Sequence, residues 1–238
     1  MASGPQFPPA ADSIAQVIAT MQAIDTMLDD ADGVKWFNYL YLTVTQIVDT
    51  SVSSGTFVDP QWITALDVTF ANLYFDALRA ANSTGPETAP LAWRPLFKNR
   101  NRGGIARIQF ALAGMNAHIN RDLVFALLDL YEQSGTAPDK SSAEFKDFTT
   151  INNLLEVAEA KAKPVLIAGT PLASSGQLEP LEDLIAMWSV AEARAIAWDR
   201  SQSAWHLRAL PAIQRDTLDA LDRATQFAGG ALLVPLLL

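Results

Sequence analysis

Apolar residues recur every three to four positions along this chain, and strand-like alternation is nearly absent. That period places one apolar stripe on each segment and predicts helices throughout. The first runs through Ile14, Val17, Ile18, Met21, Ile24 and Leu28, with Asp12 as its expected N-cap and an acidic DDADG turn closing it. The next, Val34 to about Val52, is rich in aromatic and β-branched residues. Propensity alone would allow a strand, but the length favours a buried helix. Asp59-Pro60 forms a sharp start for a helix reaching Asn82. Glu87 to Arg102 reads as an ordered loop packed by Trp93 and Phe97. Helices are then expected over Gly104–Gln133, from Ser142 or Ala143 to about Ala162, from Glu179-Pro180 to Pro211, and from there to about Phe227. KPVLIAGTPLASSGQ is the one candidate strand and turn. The expected fold is all-α, a single compact domain of about seven or eight helices over residues 13–238, behind a flexible tail at 1–12.

The Gly104–Gln133 segment breaks the simple pattern. Ile108, Leu112, Met115, Ile119 and Leu123 share one face, yet Asn116, His118, Asn120, Arg121 and Asp122 crowd into seven residues of it. His118 and Asp122 lie one turn apart, and so do Asn116 and Asn120. Such groups are costly to bury unless each is paired, so they form either a structural network or the lining of a pocket. On the preceding long helix, Asn72 and Asp76 are one turn apart, with Arg79 three residues further on and Asp67 directed to another side near Phe70 and Tyr74. If the two helices pack together, Asp76 is placed to meet His118 or Arg121. A carboxylate on one imidazole nitrogen fixes the tautomer and raises the basicity of the other.

Composition removes several classes of function. With 238 residues and a formal charge of −9, the chain has no basic groove for nucleic acid. It contains no Cys and only two histidines, His118 and His206, which excludes thiol nucleophiles, Cys-ligated zinc and a three-histidine metal site. Phosphate-binding glycine loops, HExxH and GxSxG are missing. No cofactor is expected; a divalent metal on His118, Asp122 and Glu156 is the alternative drawing. No stretch is long enough for a membrane span, and the apolar LLVPLLL end reads as a tucked tail or a subunit surface, leaving a homo-oligomer open. A cytoplasmic location is expected. Trp188, Ala191, Ala195, Trp198, Gln202 and Trp205 repeat at helical spacing, as core or as the wall of an apolar cavity with Arg194 and Arg208 at its edge.

Four segments together carry a resemblance: DGVKWFNYLYLTVTQ, FVDPQWITALDVTFANLYFDAL, AWRPLF and IARIQFALAGMNAHINRDL, with MWSVAEARAIAWDRSQSAWHLR adding a weaker match. They resemble DUF5995, a family of unknown function, over about residues 14 to 235. The resemblance implies one all-helical domain and draws attention to Asn72, Asp76, His118, Asn120 and Asp122. The expected activity is non-redox acid/base chemistry (cyclisation, dehydration, isomerisation or hydrolysis) on a largely apolar small molecule. His118 is the proton carrier, Asp122 or Asp76 its orienter, and Asn72, Asn116, Asn120, Arg121 and Trp198 the substrate contacts. The competing readings are a non-enzymatic binder of an amphipathic molecule and a structural or assembly protein.

Overall fold

The computed structural model describes residues 9–168 and 189–235. The described residues form helices α1 (Ile14–Met27), α2 (Gly33–Ser53), α3 (Pro60–Thr84), α4 (Arg94–Asn99), α5 (Arg107–Ala117), α6 (Leu123–Ser134), α7 (Ala143–Ile167), α8 (Val190–His206) and α9 (Pro211–Leu232). A π-helical turn, His118–Asp122, joins α5 to α6 without a break, so eight helices result and none of the described residues is in a strand. Three short 3₁₀ turns, Pro86–Thr88, Leu91–Trp93 and Leu207–Ala209, complete the set.

Local chemistry accounts for most boundaries. Asp59 accepts the Trp62 amide at 3.0 Å and Pro60 opens α3, as the sequence pattern requires. Asp32 caps α2 through the Val34 amide, while its carboxylate also takes the Arg100 guanidinium. At α1 the cap is Ser13 rather than Asp12, because the Ser13 hydroxyl reaches the Gln16 amide. The 87–102 segment is more regular than expected: its buried Trp93 and Phe97 sit on a 3₁₀ turn and on α4. The 163–167 part of the candidate strand is the last turn of α7, even with Pro164 inside it; the remainder, the Glu179-Pro180 start and Trp188 lie outside the described residues. Packing begins before residue 13, since Ala11 is buried and exchanges two main-chain hydrogen bonds with the Asn72 amide at 2.8 Å. At the other end, Gln109 Nε2 donates to the carbonyls of Leu232 and Val234, which tucks this part of the C-terminal segment against α5. No helix among the described residues is long and apolar enough to cross a membrane.

The core is centred on the pairing of α2 with α5, with α1 and α7 also packed on α2, and α3, α8 and α9 completing the surround. Two glycines let α2 and α5 approach closely. Gly33 of α2 faces the Phe110 ring, and Gly114 of α5 faces the Phe37 ring. A Cβ on Gly114 would stand 2.3 Å from Phe37 Cγ. Phe37 is fully buried and locked among Tyr41, Tyr74, Trp93 and His118, so it has nowhere to yield. Gly114→Ala is therefore expected to destabilise the fold by about 1–3 kcal/mol through overpacking, read as a lower urea midpoint. An unchanged midpoint would show that the two helices can separate freely.

Candidate functional site

The π turn is where the polar cluster is assembled. The Leu123 amide donates to the His118 carbonyl, five residues back, and so widens the helix by one residue at this point. Within the widened turn His118 Nδ1 and Asp122 Oδ2 are 3.1 Å apart, with both side chains buried. Trp93 Nε1 donates to the same oxygen at 2.9 Å, and Arg121 Nη1 donates to Oδ1 at 2.6 Å. Arg121 also approaches Asp222 of α9, whose carboxylate accepts the Leu91 and Ala92 amides and so positions Trp93. Asp122 is thus a fully buried carboxylate that holds three donors from three side chains.

The imidazole of His118 stands in an aromatic cage. Its ring stacks on Phe70 at 3.5 Å between centroids and meets Tyr41 edge-on at 4.4 Å, with Phe37, Tyr74 and Trp93 around it. Burial pushes its pKa below the usual 6.5, and the Asp122 hydrogen bond and charge only partly oppose this. The neutral ring therefore donates from Nδ1 to Asp122, and Nε2 is left as an acceptor with no hydrogen-bond partner.

His118 lines a small, partly open cavity of about 40 Å³ between α2, α3, the α5–α6 run, α7 and α8. Among the described residues six buried side-chain polar atoms lack a hydrogen-bond partner, and three belong to this cavity's lining: His118 Nε2, Tyr41 Oη and Asp67 Oδ2. Native proteins seldom leave buried polar groups unpaired, so the coincidence of three in one cavity singles it out as the candidate site. The other lining is chiefly Val, Ile, Leu and Met, and Arg194 closes one wall. Asp67 retains some surface in solvent, but Oδ2 is buried, and desolvation with help from the nearby Asp49 charge pushes its pKa up to about 7. Burial drives Tyr41 further above its ordinary 10, so it stays a neutral hydroxyl. Two larger depressions, of about 520 and 610 Å³, lie elsewhere and contain none of these atoms.

The structure divides the residues singled out from the sequence. His118, Asp122 and Arg121 are brought together, although Arg121 serves Asp122 and Asp222 rather than the cavity. Asp76 is not at the site. It lies about 200° round α3 from the buried Tyr74 and pairs at the surface with Arg79, 2.5 Å away. Asn72 is occupied by Ala11. Asn116, two positions from His118, turns toward α9, where its Nδ2 donates to the Thr225 carbonyl and its Oδ1 accepts from Asn120. Trp198 is core, packed against Tyr131, Phe145, Phe148 and Trp62. Glu156 lines a separate groove, and no group of three or more His, Asp or Glu among the described residues could hold a metal ion, so the set His118, Asp122 and Glu156 is not assembled.

Sequence reasoning missed Tyr41, and although it set Asp67 on the side of Phe70 it gave that acid no place in the site. Ile63, Leu66, Phe70 and Tyr74 form the buried stripe of α3, and Asp67 sits four residues after Ile63 and three before Phe70, within that stripe. A lone acid on an apolar face was the available signal.

The fold and site together define an all-helical domain built round a buried histidine–carboxylate pair and a mainly apolar cavity that carries a few polar atoms. The chain belongs to the family of unknown function DUF5995, which matches residues 14–235. No curated protein and no solved structure matches it.

The pH dependence of folding separates the two titrating groups. Asp67 has a folded pKa above its unfolded 3.8, so its favourable contribution is complete below about 4 and fades as pH rises through about 7. His118 has the opposite effect: its folded pKa lies below 6.5, so stability is lost as pH falls below that value. Asp67→Asn is expected to be more stable than the parent at pH 8 by roughly 1–3 kcal/mol, with little difference at pH 4, in urea unfolding. A uniform loss at both pH values would mean that Asp67 is an ordinary ionised acid.

Proposed function

We propose that this protein is an enzyme carrying out non-redox acid/base chemistry on a small, largely apolar molecule. The observation that supports this most strongly is the unpartnered His118 Nε2, buried in a cavity while Nδ1 is held by Asp122. A purely structural histidine would use both nitrogens; here one is fixed and the other is left as a base. In this reading His118 takes a proton from the substrate at Nε2, and Asp122 orients the ring and stabilises the imidazolium that forms. Asp67, with a pKa near 7, is the acid that returns a proton to another atom, and the neutral Tyr41 hydroxyl donates to a developing oxyanion. An isomerisation needs only these two transfers, after which His118 and Asp67 reset by exchanging the proton directly or through solvent. Cyclisation, dehydration and hydrolysis draw on the same groups.

A second reading, a non-enzymatic binder of an amphipathic molecule, is favoured by a mainly apolar groove of about 310 Å³ that shares Met115 with the cavity. The two differ in turnover. A small-molecule extract incubated with the protein and followed by untargeted mass spectrometry is expected to show at least one species consumed and one formed. His118→Gln should slow that conversion by about 100-fold or more in a protein that still folds, with a lowered unfolding midpoint from the loosened Asp122 network. Full conversion by His118→Gln would remove His118 from catalysis. A ligand retained in native mass spectra but never converted would leave the binder.

A further inference from the structure

Arg194 is only 5% exposed, yet no carboxylate pairs with it among the described residues. Its Nε donates to Asn152 Oδ1 at 2.9 Å and its Nη2 to the Phe148 carbonyl at 2.8 Å, while the guanidinium lies over the Phe148 ring at 4.1 Å. These neutral partners orient the group and leave Nη1 without an acceptor among the described residues. A buried cation with no counter-ion is costly, and the cost falls when an anion enters. The positive charge stands in the wall of the same cavity that carries the unpartnered His118, Tyr41 and Asp67 atoms.

Beside this cavity lies an apolar groove of about 310 Å³ between α2, α5 and α7, floored by Leu40, Ile108 and Leu112. Met115 lines both spaces. An unbranched thioether has three rotatable bonds and gives way more readily than a β-branched or aromatic wall. Glu156, Glu159 and Lys163 stand in the lining of the groove, where their stems lie beside an apolar chain and the two acids outnumber the one cation.

We infer that the cavity takes the carboxylate head of an aliphatic acid, held by Arg194, with the chain passing Met115 into the adjoining groove. This rests on the cavity being the site assigned above, but it concerns the substrate class and not turnover. A volume of about 40 Å³ suits a three-atom carboxylate better than a tetrahedral phosphate. Arg supplies the planar donor fork that a carboxylate matches.

Asp67 makes this binding depend on pH. Asp49 and Tyr41 of α2 are the groups that act on it directly, while His118 of the π turn and Arg194 of α8 share the cavity lining. Tyr41 stays neutral at physiological pH and His118 is neutral above its lowered pKa. Below about 7 Asp67 is protonated and adds no negative charge to the cavity; above it, the Asp67 carboxylate repels the incoming head.

The test is calorimetric titration of the full chain with octanoate, 1-octanol and octyl phosphate at pH 6.5 and pH 8. Octanoate is expected to bind one per chain, at least about tenfold more tightly than octanol and more tightly than octyl phosphate. Its affinity should be several-fold weaker at pH 8, and Arg194→Gln should weaken it by about tenfold or more at pH 6.5. Asp67→Asn should carry the pH 6.5 affinity up to pH 8. If Arg194→Gln does not fold, the pH profile and the Asp67→Asn variant decide. No saturable octanoate binding, equal affinity for octanol, tighter binding of octyl phosphate or a pH-independent wild type would each overturn the inference. Heat of binding is read without any conversion, so this result and the turnover of His118→Gln succeed or fail separately.

Discussion

The carboxylate of Asp122 is the interaction on which this structure depends. A fully buried charge is tolerated only when it is paired and hydrogen-bonded, and here His118, Trp93 and Arg121 all bond to it. Each donor commits a different element. Trp93 brings the 3₁₀ turn before α4, Arg121 reaches Asp222 of α9, and His118 enters the cage formed by α2 and α3. An uninterrupted α-helix would carry His118 and Asp122 forward with no change of register. The π turn shifts the register by one residue at the point where the network closes. π turns cost hydrogen-bond quality, and they recur where a side chain must be set in a particular direction.

The same arrangement explains why the cavity holds polar atoms with unusual protonation. Tyr41, Asp67, His118 and Arg194 face walls made of aliphatic and aromatic side chains, so desolvation dominates over pairing at each of them. It suppresses the charge of the histidine, raises the acid to about 7 and draws the guanidinium down to about 9. An acid and a base that are both uncharged near neutral pH can exchange protons with a bound molecule without first breaking an ion pair. Unpartnered buried groups also weaken a fold.

Much of this was legible in the sequence. Helical period, the Asp59-Pro60 start and the one-turn spacing of His118 with Asp122 all lead to the observed elements and contact. Arg194 does line a cavity, but not one walled by the tryptophan stripe, since Trp198 is core and Arg208 lies over Trp205. The partners of His118 were harder to see. Its near neighbours in space come from positions 37, 41, 70, 74 and 93, which no local pattern connects. Asp76 was chosen for its chemistry, although it lies off the buried stripe and has Arg79 within reach. Asn116 and His118 were grouped because they are close in sequence, yet two positions on a helix point to opposite sides. The π turn left no trace in the apolar period, since the buried positions continue through it on both sides.

The central claim is that His118 is neutral, with its proton on Nδ1 and its Nε2 open to the cavity. The most direct measurement is ¹⁵N NMR of histidine-labelled protein across pH 5 to 9, with the His206→Gln variant assigning the two rings. The expected result is a His118 signal pair with protonated Nδ1 and pyridine-like Nε2 at pH 7, titrating below 6.5. An imidazolium at pH 7, or a proton on Nε2 with Nδ1 bare, would contradict it: the first makes the pair an ordinary buried salt bridge, and the second leaves His118 no lone pair at Nε2 with which to act as a base.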